Sequence, residues 1–144
     1  MTKEQKDLLI KDLCSRLPYR VVVDYAHNAF DVHKGHYVKQ GSKCILNCYL
    51  LDVFLSPRQN ENGEYIKPYL FPIESMSEEQ KKEYNRLKHD VSVCHYEYGE
   101  PVEEIELYDS PESFEYLIEN KFDYYGLIPM GLANDATNLN IYRL

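Results

Sequence analysis

Histidine, cysteine, carboxylate and tyrosine are the side chains in this chain whose spacing invites a site. His33 and His36 come shortly before Cys44 and Cys48. All four are zinc-ligand types, and on a strand Cys44 and Cys48 share a face. A closed zinc site needs four ligands converging at ~2.0–2.3 Å, and His-x2-His followed by Cys-x3-Cys is not a common ligand spacing. Two loop histidines and two core thiols account for the same residues, so no metal is expected and the cluster stands as a minor alternative. Cys94 adjoins His95, but neighbours on a strand point to opposite faces, which argues against a thiolate–imidazole pair. Glu104 and Glu106 offer the paired carboxylates that hold a divalent cation or act as acid and base, a pattern shared by any solvated charged pair. No Gly-rich phosphate loop, His-Glu-x-x-His or Gly-x-Ser-x-Gly occurs. The reading is a non-enzymatic protein with no catalytic residue and no cofactor. A small metal-dependent enzyme ranks third.

Binding chemistry is better represented. The 144 residues include fourteen tyrosines and no tryptophan, and tyrosine supplies a large apolar ring with a polar tip, which suits protein interfaces. The net charge of −8 is unevenly spread. Residues 1–72 hold ten Lys/Arg against eight Asp/Glu, and residues 73–144 hold six against sixteen. Between residues 97 and 123 ten carboxylates face one cation, Lys121. That field repels phosphate backbones, so duplex DNA is not an expected partner, and it attracts a basic protein. The leading expectation is a protein partner held by Glu103, Glu104, Glu106, Tyr108, Tyr124 and Tyr125. The alternative is a nucleic-acid-binding first half, in which Arg20, Lys34, Lys39 and Lys43 lie near Tyr25 and Tyr37, since cations plus stacking rings hold single strands.

The elements that must position these groups follow from periodicity. Thr2 and Gln5 have capping-box spacing, and Leu9, Leu13 and Leu17 repeat every fourth residue, so a helix runs until Pro18 stops it. Residues 20–26, with three successive valines, read as a strand. Residues 27–42 are turn-rich, with a short strand at 36–39. Residues 44–55, apolar on both faces, read as a central strand, and residues 57–63 as a loop. Residues 64–70 read as a strand that Pro68 places at an edge. Ser77 and Gln80 open a surface helix. Residues 91–98 and 102–108 read as strands about a turn at 99–101, with Ile105 and Leu107 inward and Glu104 and Glu106 wet. Ser110 caps a third helix with Pro111 at its first position. The expectation is one α+β domain over residues 1–144, with three helices and a sheet of about five mostly antiparallel strands. Its expected core is Leu9, Leu13, Val21, Val23, Leu46, Leu50, Val93, Ile105, Phe114 and Leu117.

Cys14 falls on the apolar face of the first helix, and Cys44, Cys48 and Cys94 fall in strands, so all four read as reduced core thiols. The opening Met-Thr-Lys-Glu-Gln-Lys-Asp shows no signal-peptide pattern, and no stretch reaches the ~20 apolar residues of a membrane span. A cytoplasmic setting is expected.

Three segments carry a resemblance. They are residues 4–23, with Lys-Asp-Leu-Cys-Ser-Arg-Leu-Pro-Tyr, residues 66–84, with Lys-Pro-Tyr-Leu-Phe-Pro-Ile-Glu-Ser-Met-Ser-Glu-Glu-Gln, and residues 120–133, with Phe-Asp-Tyr-Tyr-Gly-Leu-Ile-Pro-Met-Gly-Leu-Ala. Together they cover about a third of the chain, and it resembles a family of small uncharacterised proteins from gut anaerobic bacteria, their phages and mobile elements. Arg20 stands where that family has a glycine, and Phe71 where it has an arginine. The resemblance implies an accessory protein linked to phages or mobile elements, and it carries over no catalytic residue.

Overall fold

In the computed structural model the described residues are 1–55 and 65–142, with the backbone alone described at 26–30, 37–40 and 65. The expected loop at 57–63 lies outside them. In order, the elements are α1 (Lys3–Arg16), β1 (Val22–Asp31), β2 (His36–Ile45), α2 (Cys48–Leu55), β3 (Tyr65–Leu70), α3 (Glu78–Leu87), β4 (His89–Glu97), β5 (Glu100–Tyr108), α4 (Pro111–Glu119) and a two-residue β6 (Asn134–Asp135). The class is α+β, as expected. The strands divide into two sheets, a four-stranded one in the order β2-β1-β3-β6 and a separate pair β4-β5.

The three expected helices start at their capping residues. Thr2, Ser77 and Ser110 each accept a hydrogen bond from the backbone N–H three residues on and complete a capping box. After α1 a single 3-10 turn over Leu17–Tyr19 carries Pro18, and Arg20 at φ 57° turns the chain toward β1.

Residues 44–55 do not form one strand. Cys44 and Ile45 end β2, and Cys48–Leu55 is helical. Asn47, which interrupts the apolar run, acts as a helix cap: its side-chain oxygen accepts from the Leu50 N–H at 2.9 Å. Leu46, Leu50 and Phe54 then recur at helical spacing and are all buried. The central strand is instead β1, paired with β2 over ten residues and with β3 over four. Residues 27–42 are therefore mostly strand rather than loop.

Pro68 falls, as expected, on a stretch of β3 that has a paired strand on one side only. It sits opposite Val23 in β3 and is fully buried, while β6 pairs only with Tyr69 and Leu70. The missing N–H thus falls where no neighbouring strand requires it.

The main core joins Leu9 and Leu13 of α1, Val21, Val23, Leu46, Ile66 and Leu70 around the sheet, Leu50, Leu51 and Phe54 of α2, and Leu127. Met76, Leu117 and Phe122 form a second cluster. Val93 and Phe114 are only half-buried, and Ile105 is 75% exposed. For Val93 and Ile105 the expected burial fails because β4 and β5 form their own sheet, with no layer packed on them to the depth of a core, whereas Phe114 lies in α4, packed edge-on against Tyr124. None of the cysteines is a core residue: Cys14, Cys48 and Cys94 are exposed and Cys44 is half-buried.

Residues 4–23, 66–84 and 120–133 form three segments that are knitted to one another. Arg16 donates to the Phe122 carbonyl at 2.7 Å, and Phe71 exchanges main-chain bonds with Lys121 and Asp123 at 2.8 and 2.9 Å. The β4–β5 hairpin lies outside all three segments. No helix among the described residues is long and apolar enough to cross a membrane.

Candidate functional site

The β4–β5 hairpin gathers most of what the sequence marks as partner-facing. Its strands pair in register from His89↔Tyr108 to Glu97↔Glu100. The turn is Tyr98-Gly99, one residue earlier than expected, with φ of 52° and 81°. Two central residues with positive φ make the primed turn whose twist suits a tight hairpin. Glu100 and Pro101 already belong to β5.

The hairpin's roots are bound to the helices on either side. Ser110 Oγ donates to the Leu87 carbonyl at 2.6 Å, joining the end of α3 to the start of α4. Tyr84 OH donates to Asp109 Oδ1 at 2.5 Å, and Ser113 Oγ donates to the same oxygen at 3.2 Å. Burial, and then the Asp109 carboxylate, push the Tyr84 phenol well above its usual range. The Lys88 ammonium lies 4.3 Å from the centre of the Tyr84 ring.

Beyond these roots the pair is open on both faces. Residues 89–108 hold six carboxylates and no lysine or arginine. One face carries His89, Val91, Val93, His95, Glu97, Glu100, Val102, Glu104, Glu106 and Tyr108, because residues directly opposite share a side. Here Tyr108 OH donates to Glu106, which raises the phenol's pKa. His95 Nε2 lies 3.4 Å from Glu97 and 3.9 Å from Glu104. The other face carries Asp90, Ser92, Cys94, Tyr96, Pro101, Glu103, Ile105 and Leu107. Tyr96 and Ile105 are 76% and 75% exposed there. The expected inside-outside register, with Ile105 and Leu107 inward, is therefore wrong: the alternation puts four of the six carboxylates on one, more acidic face and Tyr96, Ile105 and Leu107, with Asp90 and Glu103, on the other, more apolar one, and solvent reaches both.

Of the six residues expected to face a protein partner, the hairpin supplies four. Glu104, Glu106 and Tyr108 share one face, and Glu103 is on the other. Tyr124 and Tyr125 are half-buried, with Tyr124–Tyr125 and Tyr124–Phe114 centroids each 4.9 Å apart and edge-on. These two rings pack the scaffold. Not every carboxylate of residues 97–123 belongs to the acidic surface either. Asp123 is buried and accepts from the Leu127 and Ile128 N–H groups at 2.7 and 2.9 Å.

The other candidate sets are dispersed. Arg20 is exposed at the start of β1, whereas Lys34 lies in the turn at its far end, about 30 Å away along a ten-residue strand. Tyr25 is turned to the main core. Lys43 sits opposite Asp24, 5.3 Å from the centre of the Tyr69 ring. Tyr37 and Lys39 pair with Phe30 and Asn28, and their side chains lie outside the described part. His33 lies in the β1–β2 turn and His36 opens β2, Cys44 lies eight residues further along β2, and Cys48 begins α2. No three His, Cys, Asp or Glu side chains converge in metal-binding geometry among the described residues. A cleft of about 380 Å³ beside Pro72, Glu74, Tyr124 and Pro129 includes Asp123, whose two oxygens are already used in capping.

Sequence reasoning overlooked Tyr96 and Pro101 as surface-defining residues, although Pro101 was a visible signal of main-chain orientation. Comparison with protein-family models, curated proteins and solved structures returns no match.

Proposed function

We propose that this protein is a non-enzymatic interaction module that holds a basic protein partner on its acidic, tyrosine-bearing hairpin. The observation that carries the reading is the hairpin itself: a two-stranded sheet with six carboxylates, no lysine or arginine, and both faces exposed. An isolated pair of strands is marginal in water, so a partner laid against it adds stability. The acidic field speeds encounter with a basic surface, and the tyrosines supply contact area. A cytoplasmic accessory role linked to phages or mobile elements belongs to the same reading and rests on the resemblance of the three scaffold segments.

Paired purification from the native host under phage infection tests it. The wild-type chain and the Glu104→Lys, Glu106→Lys double variant serve as baits. A stoichiometric protein retained by the wild type and lost by the variant supports the reading. Nucleic acid in the wild-type eluate, or a partner retained equally by both baits, contradicts it.

A further inference from the structure

The outer edge of β4, we infer, seats an extended basic segment of the partner, which joins the hairpin as a third strand. This deepens the interaction reading above by naming how the partner is held. Glu97 and Glu100 close a two-residue turn, and residues that close such a turn exchange main-chain hydrogen bonds across the hairpin. Along an antiparallel pair, these positions alternate with ones whose N–H and C=O point away from the partner strand. The alternation turns the main chain of Asp90, Ser92, Cys94 and Tyr96 outward from β4, and that of Pro101, Glu103, Ile105 and Leu107 outward from β5. Pro101 checks this parity independently, because a residue without an N–H fits at an outward position.

The same proline makes the two edges unequal. On β5 it removes a donor near the turn and puts a ring in the path of an added strand, a usual way of blunting an edge. On β4 all four outward residues keep their donors. The sheet has only these two strands, so no strand lies beside β4 among the described residues. Free main-chain groups on an open edge are the template for strand addition.

Side chains define the occupant. A strand beside β4 places alternate residues next to Tyr96, Cys94 and Ser92 on the apolar face and the rest next to Val91, Val93 and His95 on the acidic face. From the acidic side, lysine and arginine reach across two strand spacings, about 10 Å, to Glu104 and Glu106 of β5. The fitting segment alternates apolar residues with lysine or arginine. A second copy of this chain fits poorly, because each hairpin brings six carboxylates and no lysine or arginine to the contact, and like charges opposite one another destabilise a sheet.

The probe is a nine-residue peptide alternating lysine with valine, added to the full chain at millimolar concentration, with residue-resolved amide exchange as readout. The Asp90, Ser92, Cys94 and Tyr96 amides should slow by about tenfold or more. The same peptide with glutamate for lysine should leave them unchanged. In Ser92→Pro, whose lost N–H points outward and is not needed by the β4–β5 ladder, peptide protection should vanish while Val91, Val93 and His95 stay protected. Protection of Glu103, Ile105 and Leu107 instead overturns the edge assignment. Absence of any saturable protection overturns strand addition even where the purification above finds a partner. Protection of the four β4 amides by self-association without peptide overturns the basic occupant in favour of a second copy.

Discussion

The Arg16 guanidinium donates at 2.7 Å to the carbonyl oxygen of Phe122, 106 residues further along the chain. It also grips both Asp12 carboxylate oxygens at 2.8 and 2.9 Å, and both side chains are fully buried. Burial pushes the Asp12 carboxyl up from its usual range, against the opposing pull of Arg16. The pair ties α1 to the chain leaving α4. Arg16→Met strands a buried carboxylate, so it should cost about 3–5 kcal/mol in urea denaturation. The Asp12→Leu, Arg16→Met double variant should be less destabilised than the single one. A double variant as unstable as Arg16→Met, or more so, contradicts this account of the pair.

Arg20 holds a left-handed φ of 57°, where a side chain is strained and glycine is not. Arg20→Gly should raise stability by about 1 kcal/mol in thermal or urea unfolding. A loss of stability means that the exposed arginine makes contacts worth more than the strain.

Alkaline pH should unfold the scaffold through two phenols. Burial raises the Tyr142 pKa to about 12, and its hydroxyl accepts from the Val22 N–H at 2.8 Å while donating to the Tyr69 carbonyl at 2.7 Å. The Tyr84 phenol is raised as well. Unfolded tyrosine titrates near ~10. A folded pKa above the unfolded value means that this stabilisation is complete below pH ~10 and is lost as pH rises through the folded values. Urea midpoints should therefore fall between pH ~10 and ~12. Tyr142→Phe should cost about 1–3 kcal/mol at neutral pH, since it leaves the Val22 N–H without that acceptor, and should flatten the alkaline fall. An unchanged alkaline slope in the variant removes Tyr142 as a cause.

The cysteines should differ in reactivity. Cys14, Cys48 and Cys94 are exposed. Cys44 is half-buried, and burial followed by the Asp24 carboxylate pushes its thiol pKa up. In native protein a maleimide should modify three thiols quickly and Cys44 last, because the thiolate is the reacting form. Simultaneous modification of all four contradicts the placement of Cys44.

Legibility in the sequence followed the range of the interactions. The three capped helices are local features, and Thr2, Ser77 and Ser110 announced them. The stripe of Leu9 and Leu13 and the valines of β1 named much of the core. Residues 48–55 misled because a short apolar run suits a buried strand and a buried helix alike, and because Asn47 reads equally as an interruption or a cap. In the hairpin, the alternation of Ile105 and Leu107 with Glu104 and Glu106 told correctly that two faces differ. Whether a layer covers either face depends on which sheet the strands join, a long-range choice that no local pattern encodes. For the same reason Tyr124 and Tyr125, named with the surface tyrosines, proved to be packing residues of the scaffold.

Amide exchange along β4 in the free protein tests the central claim most directly. An uncovered two-stranded hairpin requires the Asp90, Ser92, Cys94 and Tyr96 amides to exchange quickly while the Val91, Val93 and His95 amides, bonded to β5, exchange more slowly. That alternation at every second residue is the predicted result. Uniformly slow exchange across β4 would mean that the edge is already covered, and uniformly fast exchange would mean that the strands do not hold together. Either outcome contradicts the hairpin as a formed, open docking surface.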